Sequence, residues 1–330
     1  MALAGALPSH DMSSSIPNLE ETYCPGAALD LYAWPHPAPP TSIEPKYTKG
    51  RPKRNELIER YNKSIAQRVT LPSTPPTVSI TLEKRLASSM SRVPHVWTAL
   101  VQGGTSHAVT TVAAMTTDDV TYPPLLVAKI FEPVFFDDEE TRWADPFVVY
   151  DHSIAAEVET YRRLAPFRGT KVPRFYGFFA AVVPGQESRT VYVILIELVP
   201  GRDVSAIVPP DATENLCANH KVSIVDASLG LFFDVLACGV RQYDMKSRNV
   251  ILRPQAHVPS LIPGTRFCDT EECMLAFEVD CNDLDLVMVD FEFVEFKEPD
   301  PSLGEDSVKR MHTEAVQSEY LERWLENAMV

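Results

Sequence analysis

Apolar positions in this chain change their spacing several times, and each change predicts an element. In "RNELIERYNKSIAQRV", Leu57, Ile58, Tyr61 and Ile65 recur at helical spacing and predict an amphipathic helix. From about Val93 the pattern becomes strand-like. "HVWTALVQ" (His95–Gln102) is rich in β-formers, "GGTSH" (Gly103–His107) reads as a turn, and "AVTTVAAM" (Ala108–Met115) reads as the returning strand of a hairpin. "LLVAKIF" (Leu125–Phe131) predicts a third strand. "SIAAEVETYRRLAPF" (Ser153–Phe167) returns to helical spacing, with Ser153 as N-cap and Ile154, Val158, Tyr161 and Leu164 on the apolar face. "KVPRFYGFFAAVV" and "TVYVILIELV" predict two more strands joined by "PGQESR".

The second half is patterned differently. "SIVDASLGLFFDVLACGV" (Ser223–Val240) is apolar enough for a buried helix. "NVILRP" and "DLDLVMVDFEFVEF" predict strands on either side of an acidic, cysteine-bearing insertion, Gln255–Asp283. An amphipathic helix, "VKRMHTEAVQSEYLERWLENAM", closes the chain. Residues 1–92 stand apart, because prolines crowd "YAWPHPAPPTSIEPKY" and "LPSTPPT" and oppose long helices and apolar burial. That predicts an extended arm carrying the one amphipathic helix, followed by a domain over 93–330.

Composition narrows the function classes. At 330 residues and 45% hydrophobic content, most of the chain is expected to fold. A net charge of −15 opposes a protein that coats nucleic acid or anionic membrane. The longest apolar run, Val191–Val199, is too short to span a bilayer and holds Glu197. The first residues lack a basic n-region, so a cytoplasmic or nuclear protein with reduced thiols is expected. Of the six cysteines, Cys238 reads as a core residue. Cys268, Cys273 and Cys281 form a C-x4-C-x7-C cluster, for which zinc is one reading although the spacing matches no two-residue knuckle.

A short basic stretch, "KGRPKR" (Lys49–Arg54), resembles an AT-hook, a reader of narrow A·T minor grooves. It also resembles a nuclear-import signal, and its plain reading is a solvated basic turn. In an acidic chain a single such match does not predict DNA as the main partner.

The order of elements and motifs from about Val93 to Glu295 resembles the protein-kinase-like superfamily, as an atypical, fungal-type member. The motifs are "LVAKI", "EVETYRRL", "YDMKSRN" and "VMVDFE". The resemblance implies an α+β, two-lobed fold. Its N-lobe, about 93–200, would be an antiparallel sheet with one inserted helix. Its C-lobe, about 201–330, would be reduced and mainly helical. ATP and Mg would be the cofactors. By the same resemblance Lys129 would meet the α/β-phosphates and Glu157 would hold it by an ion pair. Gly103 and Gly104 would bring backbone N–H groups to the phosphates, and backbone near Glu197 and Val199 would meet the adenine. Asp244 would take or orient the proton of the attacking hydroxyl, Lys246 would steady the γ-phosphate, and Asn249 and Asp290 would bind the metal. The chemical reason for such a set is that phosphoryl transfer spreads negative charge over oxygens, so positioning and charge neutralisation do most of the catalysis.

The departures from the family pattern bear on activity. "QGGTSH" lacks G-x-G-x-x-G, and Gln242 and Tyr243 stand in place of His and Arg of H-R-D. Glu292 replaces the glycine of D-F-G, and no A-P-E follows. The expected reading is an atypical ATP-dependent phosphotransferase with a nucleotide and an unknown phosphate acceptor or protein partner. The alternative is a pseudokinase serving as a binding or scaffold module.

Overall fold

The computed structural model describes residues 19–40, 56–86, 94–102, 122–135, 145–208, 215–254, 267–268, 270 and 272–303. Four sequence expectations lie outside them: the Gly103–His107 turn, the Ala108–Met115 strand, "KGRPKR" and the C-terminal helix. The chain divides into two compact units, one drawn from Met1–Pro35, Pro45–Tyr150 and Gly177–Leu195, the other from His36–Glu44, Asp151–Tyr176 and Ile196–Val330. The architecture is mixed α and β with an antiparallel sheet.

The first unit is built on a closed barrel. Its strands are β1 (Ala28–Ala33), β2 (Val78–Arg85), β3 (His95–Gln102), β4 (Leu125–Phe131), β5 (Phe175–Val183) and β6 (Gln186–Glu197), hydrogen-bonded in the order β1-β2-β3-β4-β6-β5. Two expectations change here. The proline-rich segment does not remain an arm: β1 and β2 both precede residue 93. Leu31 lies opposite Val78 on one side and Ala181 on the other, so β1 closes what would otherwise be an open sheet with two bare edges. β3 also has different neighbours from the expected hairpin partner, with Trp97 opposite Arg85 of β2 and Ala128 of β4. Alternation explains the core, since Leu29, Leu31, Ile80, Leu82, Leu126, Ala128 and Ile130 are fully or almost fully buried. Pro184 and Gly185 alone form the β5–β6 turn, with Gly185 at φ +67°.

A polar knot sits among these apolar residues. Arg189 and Glu132 are both wholly buried and paired. Arg189 also donates to Ser64 Oγ (3.0 Å) and Gln186 Oε1 (2.7 Å), while Glu132 accepts from Tyr23 Oη (3.0 Å) and Val134 N (3.0 Å). Burial, with the Glu132 charge behind it, pushes the Tyr23 phenol well above its usual range. α2 (Glu56–Ala66) is the predicted amphipathic helix, following the four-residue α1 (Leu19–Thr22). Among its described side chains, Arg60 and Ser64 are buried, with Ile58, Tyr61 and Ile65 only half-buried. Through Ser64 the helix joins the polar knot.

α3 (Pro146–Arg163) begins earlier than Ser153. Proline occupies its first turn and the Asp145 carboxylate accepts from Phe147 N at 3.0 Å, a cap with proline just inside. Ser153 is buried mid-helix. The second unit continues with β7 (Arg202–Asp203), α4 (Val204–Ile207) and α5 (Ala218–Ala237), then β8 (Val240–Gln242), β9 (Val250–Leu252), β10 (Leu286–Met288) and β11 (Val294–Phe296). These strands form one sheet in the order β10-β9-β7 and a β11–β8 pair. The predicted single strand "DLDLVMVDFEFVEF" is thus two, interrupted at Asp290. Gly239, at φ +75°, ends α5; a Cβ there would lie 2.3 Å from the Lys297 carbonyl, so the close turn into β8 requires glycine. Arg163 ties this corner together by donating to Gly239 O (3.2 Å) and Lys297 O (2.7 Å). Among the described residues no helix is long and apolar enough to cross a membrane.

Candidate functional site

The residues after β8 form a tight loop whose side chains bond to its own backbone. Asn249 Nδ2 donates to the Asp244 carbonyl (2.8 Å) and carboxylate (3.1 Å). Lys246 Nζ lies 3.0 Å from the same carboxylate, and Arg248 lies at 3.6 Å. Asp244, Lys246 and Asn249, singled out by spacing, are therefore brought together. Asn249 has both amide hydrogens directed at Asp244, which leaves its Oδ1 as the atom suited to a cation.

Asp290 joins the loop through backbone. Val289 N donates to Asn249 O at 2.8 Å, and Gln242 Nε2 donates to the Asp290 carbonyl. Gln242 Oε1 accepts from Asp244 N at 3.0 Å, so one buried side chain pins both loops. Sequence reasoning noted Gln242 only as a departure from H-R-D; the signal available was an amide, which can donate and accept at once. Tyr243, the other departure, is exposed and donates to Glu295 Oε2 at 2.6 Å; that bond raises the phenol's pKa and lowers the carboxyl's.

Asp290 has φ +70°, the one positive value at a non-glycine position among the described residues. The left-handed conformation is uncommon for side-chain-bearing residues and marks places where the surroundings over-determine the backbone. Here Phe291 supplies the constraint. It is fully buried, edge-on to Tyr161 at 5.5 Å between ring centroids, and Tyr161 in turn stacks on Phe175 at 5.1 Å. Tyr161 lies one helical turn beyond Glu157. The result is a cluster in which Glu157, Asp290 and Glu292 each present a carboxylate oxygen, all within 4.8 Å of one another. Carboxylates gathered this closely favour a cation among them. Glu292, noted from the sequence only as a replacement for the D-F-G glycine, contributes an oxygen to the same cluster.

The remaining expected residues are placed as follows. Lys129 is on β4 in the first unit and buried. Gly103 and Gly104 lie outside the described residues. Glu197 ends β6, and its backbone N–H already donates to the Arg174 carbonyl at 2.9 Å, so that donor is not offered to a ligand. The Glu197 carboxylate accepts from Arg174 N (2.9 Å) and Arg253 (3.1 Å). Val199 is buried just beyond. The cysteine cluster also divides: Cys268 and Cys273 gather with Cys217 and His220, not with Cys281.

No protein-family model and no curated protein matches the chain. Among solved structures it is similar to WaaP in complex with acyl carrier protein, at 14% identity and a TM-score of 0.38, over 74% of this chain and 87% of that one. It is also similar to the PknI kinase domain of Mycobacterium tuberculosis in a double-mutant form, at 16% identity and a TM-score of 0.35, over 66% and 62% of the two chains.

Proposed function

We propose that this protein is an atypical, kinase-like ATP-dependent phosphotransferase. The observation that carries the reading is Asp290 at φ +70°, held to the Asp244–Asn249 loop through Gln242 and the Val289–Asn249 bond. Strain of this kind is kept where a side chain must point in one direction.

The residues fit a divalent cation. Asp290 and Asn249 would supply hard oxygen ligands, and the Glu157 and Glu292 carboxylates lie within 4.8 Å of that of Asp290. When bound, magnesium would neutralise charge on the transferred phosphoryl group. Asp244 accepts the proton of the attacking hydroxyl. Lys246 and Arg248 keep that carboxylate oriented, and by the resemblance Lys246 would steady the γ-phosphate. Lys129 takes the part that the resemblance gives it, contact with the α/β-phosphates. The finer assignments, to ATP and to these roles, rest on the sequence motifs together with this loop geometry.

A thermal-shift titration with ATP, with and without Mg²⁺, tests the reading, because a ligand that binds the folded state raises Tm. A Mg²⁺-dependent rise that Asp290→Asn abolishes supports it, as does ATP turnover lost in Asp244→Ala. No shift at millimolar ATP overturns it and leaves the pseudokinase scaffold, which Glu292 at the metal position favours.

A further inference from the structure

The first turn of α5 and the insertion after β9 converge on one point. Cys217, His220, Cys268 and Cys273 are all buried, and each offers a ligand atom within 4.8 Å of the other three. His220 Nδ1 lies 3.1 Å from Cys217 Sγ and 3.4 Å from Cys273 Sγ. With Zn–S of about 2.3 Å and Zn–N of about 2.0–2.1 Å, neighbouring ligands on a zinc tetrahedron lie about 3.5–3.8 Å apart. The two nitrogen–sulfur edges given fall just short of that range and the other four are within 4.8 Å, so small side-chain shifts suffice to seat a zinc ion.

Its outer contacts suit metal ligation as well. His220 Nε2 is 2.8 Å from the Val279 carbonyl. A carbonyl can only accept, so Nε2 carries the proton and Nδ1 presents its lone pair to the thiols. This is the arrangement by which ligating histidines are oriented. Backbone N–H groups point at the sulfurs: Cys217 N to Cys273 Sγ at 3.5 Å, and His220 N to Cys217 Sγ at 3.4 Å. N–H donors directed at sulfur stabilise thiolate, the form that binds metal. Buried cysteines that merely pack need neither feature. None of the three cysteines is in a disulfide.

We propose that these four residues form a closed, structural zinc site. Three soft thiolates and one imidazole select zinc over the hard cations that suit the Asp290 cluster, and four protein ligands leave no open position for catalysis. Binding releases a proton from each thiol that was protonated. The site pins the described part of the insertion to the start of α5, which gives that insertion a structural purpose independent of whether the Asp290 cluster is catalytic. The pattern C-x2-H with C-x4-C across a long gap is read only once the chain is folded.

The test uses the full chain purified under reducing conditions, with zinc measured by plasma mass spectrometry and by colorimetric release on thiol blocking. The expected result is one zinc per chain, lost in Cys268→Ser and Cys273→Ser and kept in Cys281→Ser, whose thiol instead faces the Phe267 carbonyl at 3.8 Å. Should the serine variants fail to fold, His220→Cys keeps four ligands and is expected to retain the metal. Cobalt(II) added to reduced, zinc-free wild type is expected to give the intense bands of a tetrahedral thiolate site, shifted in His220→Cys. Zinc retained in folded Cys268→Ser or Cys273→Ser overturns the proposal. So does a reduced protein with neither zinc nor tetrahedral cobalt bands, or native protein carrying a disulfide within this cluster.

Discussion

Gln242 holds Asp290 by its carbonyl while the other end of the same amide holds Asp244 by its N–H. The loop expected to meet the nucleophile and the loop expected to meet the metal therefore share one buried side chain. A glutamine can do this because it is donor and acceptor at once.

Replacing that side chain separates the two bonds. Gln242→Ala leaves buried backbone groups unpaired and is expected to cost about 1–3 kcal/mol in urea unfolding. Gln242→Glu keeps the acceptor for Asp244 N but turns a carboxylate oxygen on the Asp290 carbonyl. It is expected to lower the Mg²⁺-dependent ATP shift even where folding is retained.

Asp290 offers a second separation. Asparagine tolerates the left-handed region at least as well as aspartate, whereas alanine pays roughly 1–2 kcal/mol there. Asp290→Asn is expected to match wild-type stability and lose the Mg²⁺-dependent shift with ATP. Asp290→Ala is expected to lose both, as read by denaturant midpoint and thermal shift together.

In the barrel, Arg189→Met leaves Glu132 buried without its partner. The expected loss is about 3–5 kcal/mol by chemical denaturation. Adding Glu132→Gln to Arg189→Met is expected to recover part of that loss, since the stranded charge is gone, and a double-mutant cycle reads the coupling.

His95 predicts a pH dependence. Burial, followed by the Arg85 charge, lowers its pKa to about 4 from an ordinary value of 6.5. Arg85 donates to Nδ1 at 3.3 Å, which fits a neutral ring. Between pH 6.5 and 4 the unfolded chain binds the proton and the folded chain does not, so stability rises with pH across this window. The contribution is fully present above pH 6.5 and is lost as pH falls towards 4, by up to about 3 kcal/mol. His95→Gln is expected to flatten the urea-midpoint profile between those values.

Much of the candidate site was legible because its chemistry is local. Asp244, Lys246 and Asn249 lie within one short loop, so their spacing already implied shared work. Asp290 was singled out by the resemblance of "VMVDFE" to D-F-G, although its φ was not legible. Only half of the proposed zinc set was legible: spacing grouped Cys268 and Cys273, wrongly with Cys281, but Cys217 and His220 are some fifty residues away. Cys217 also lies outside the usual N-cap types, so the start of α5 was placed several residues late.

Most helices and strands, the loop that carries Asp244 and Asn249, and the acidic balance of the chain can be read from residue order, because periodicity and spacing act over a few residues. Tertiary structure alone decided that β1 closes a barrel, that α2 buries Arg60 and Ser64, and that Glu292 joins Glu157 and Asp290. It also decided which cysteines gather around His220. Each of these outcomes depends on where distant segments meet, and burial changes the energetic meaning of a polar side chain only after they have met.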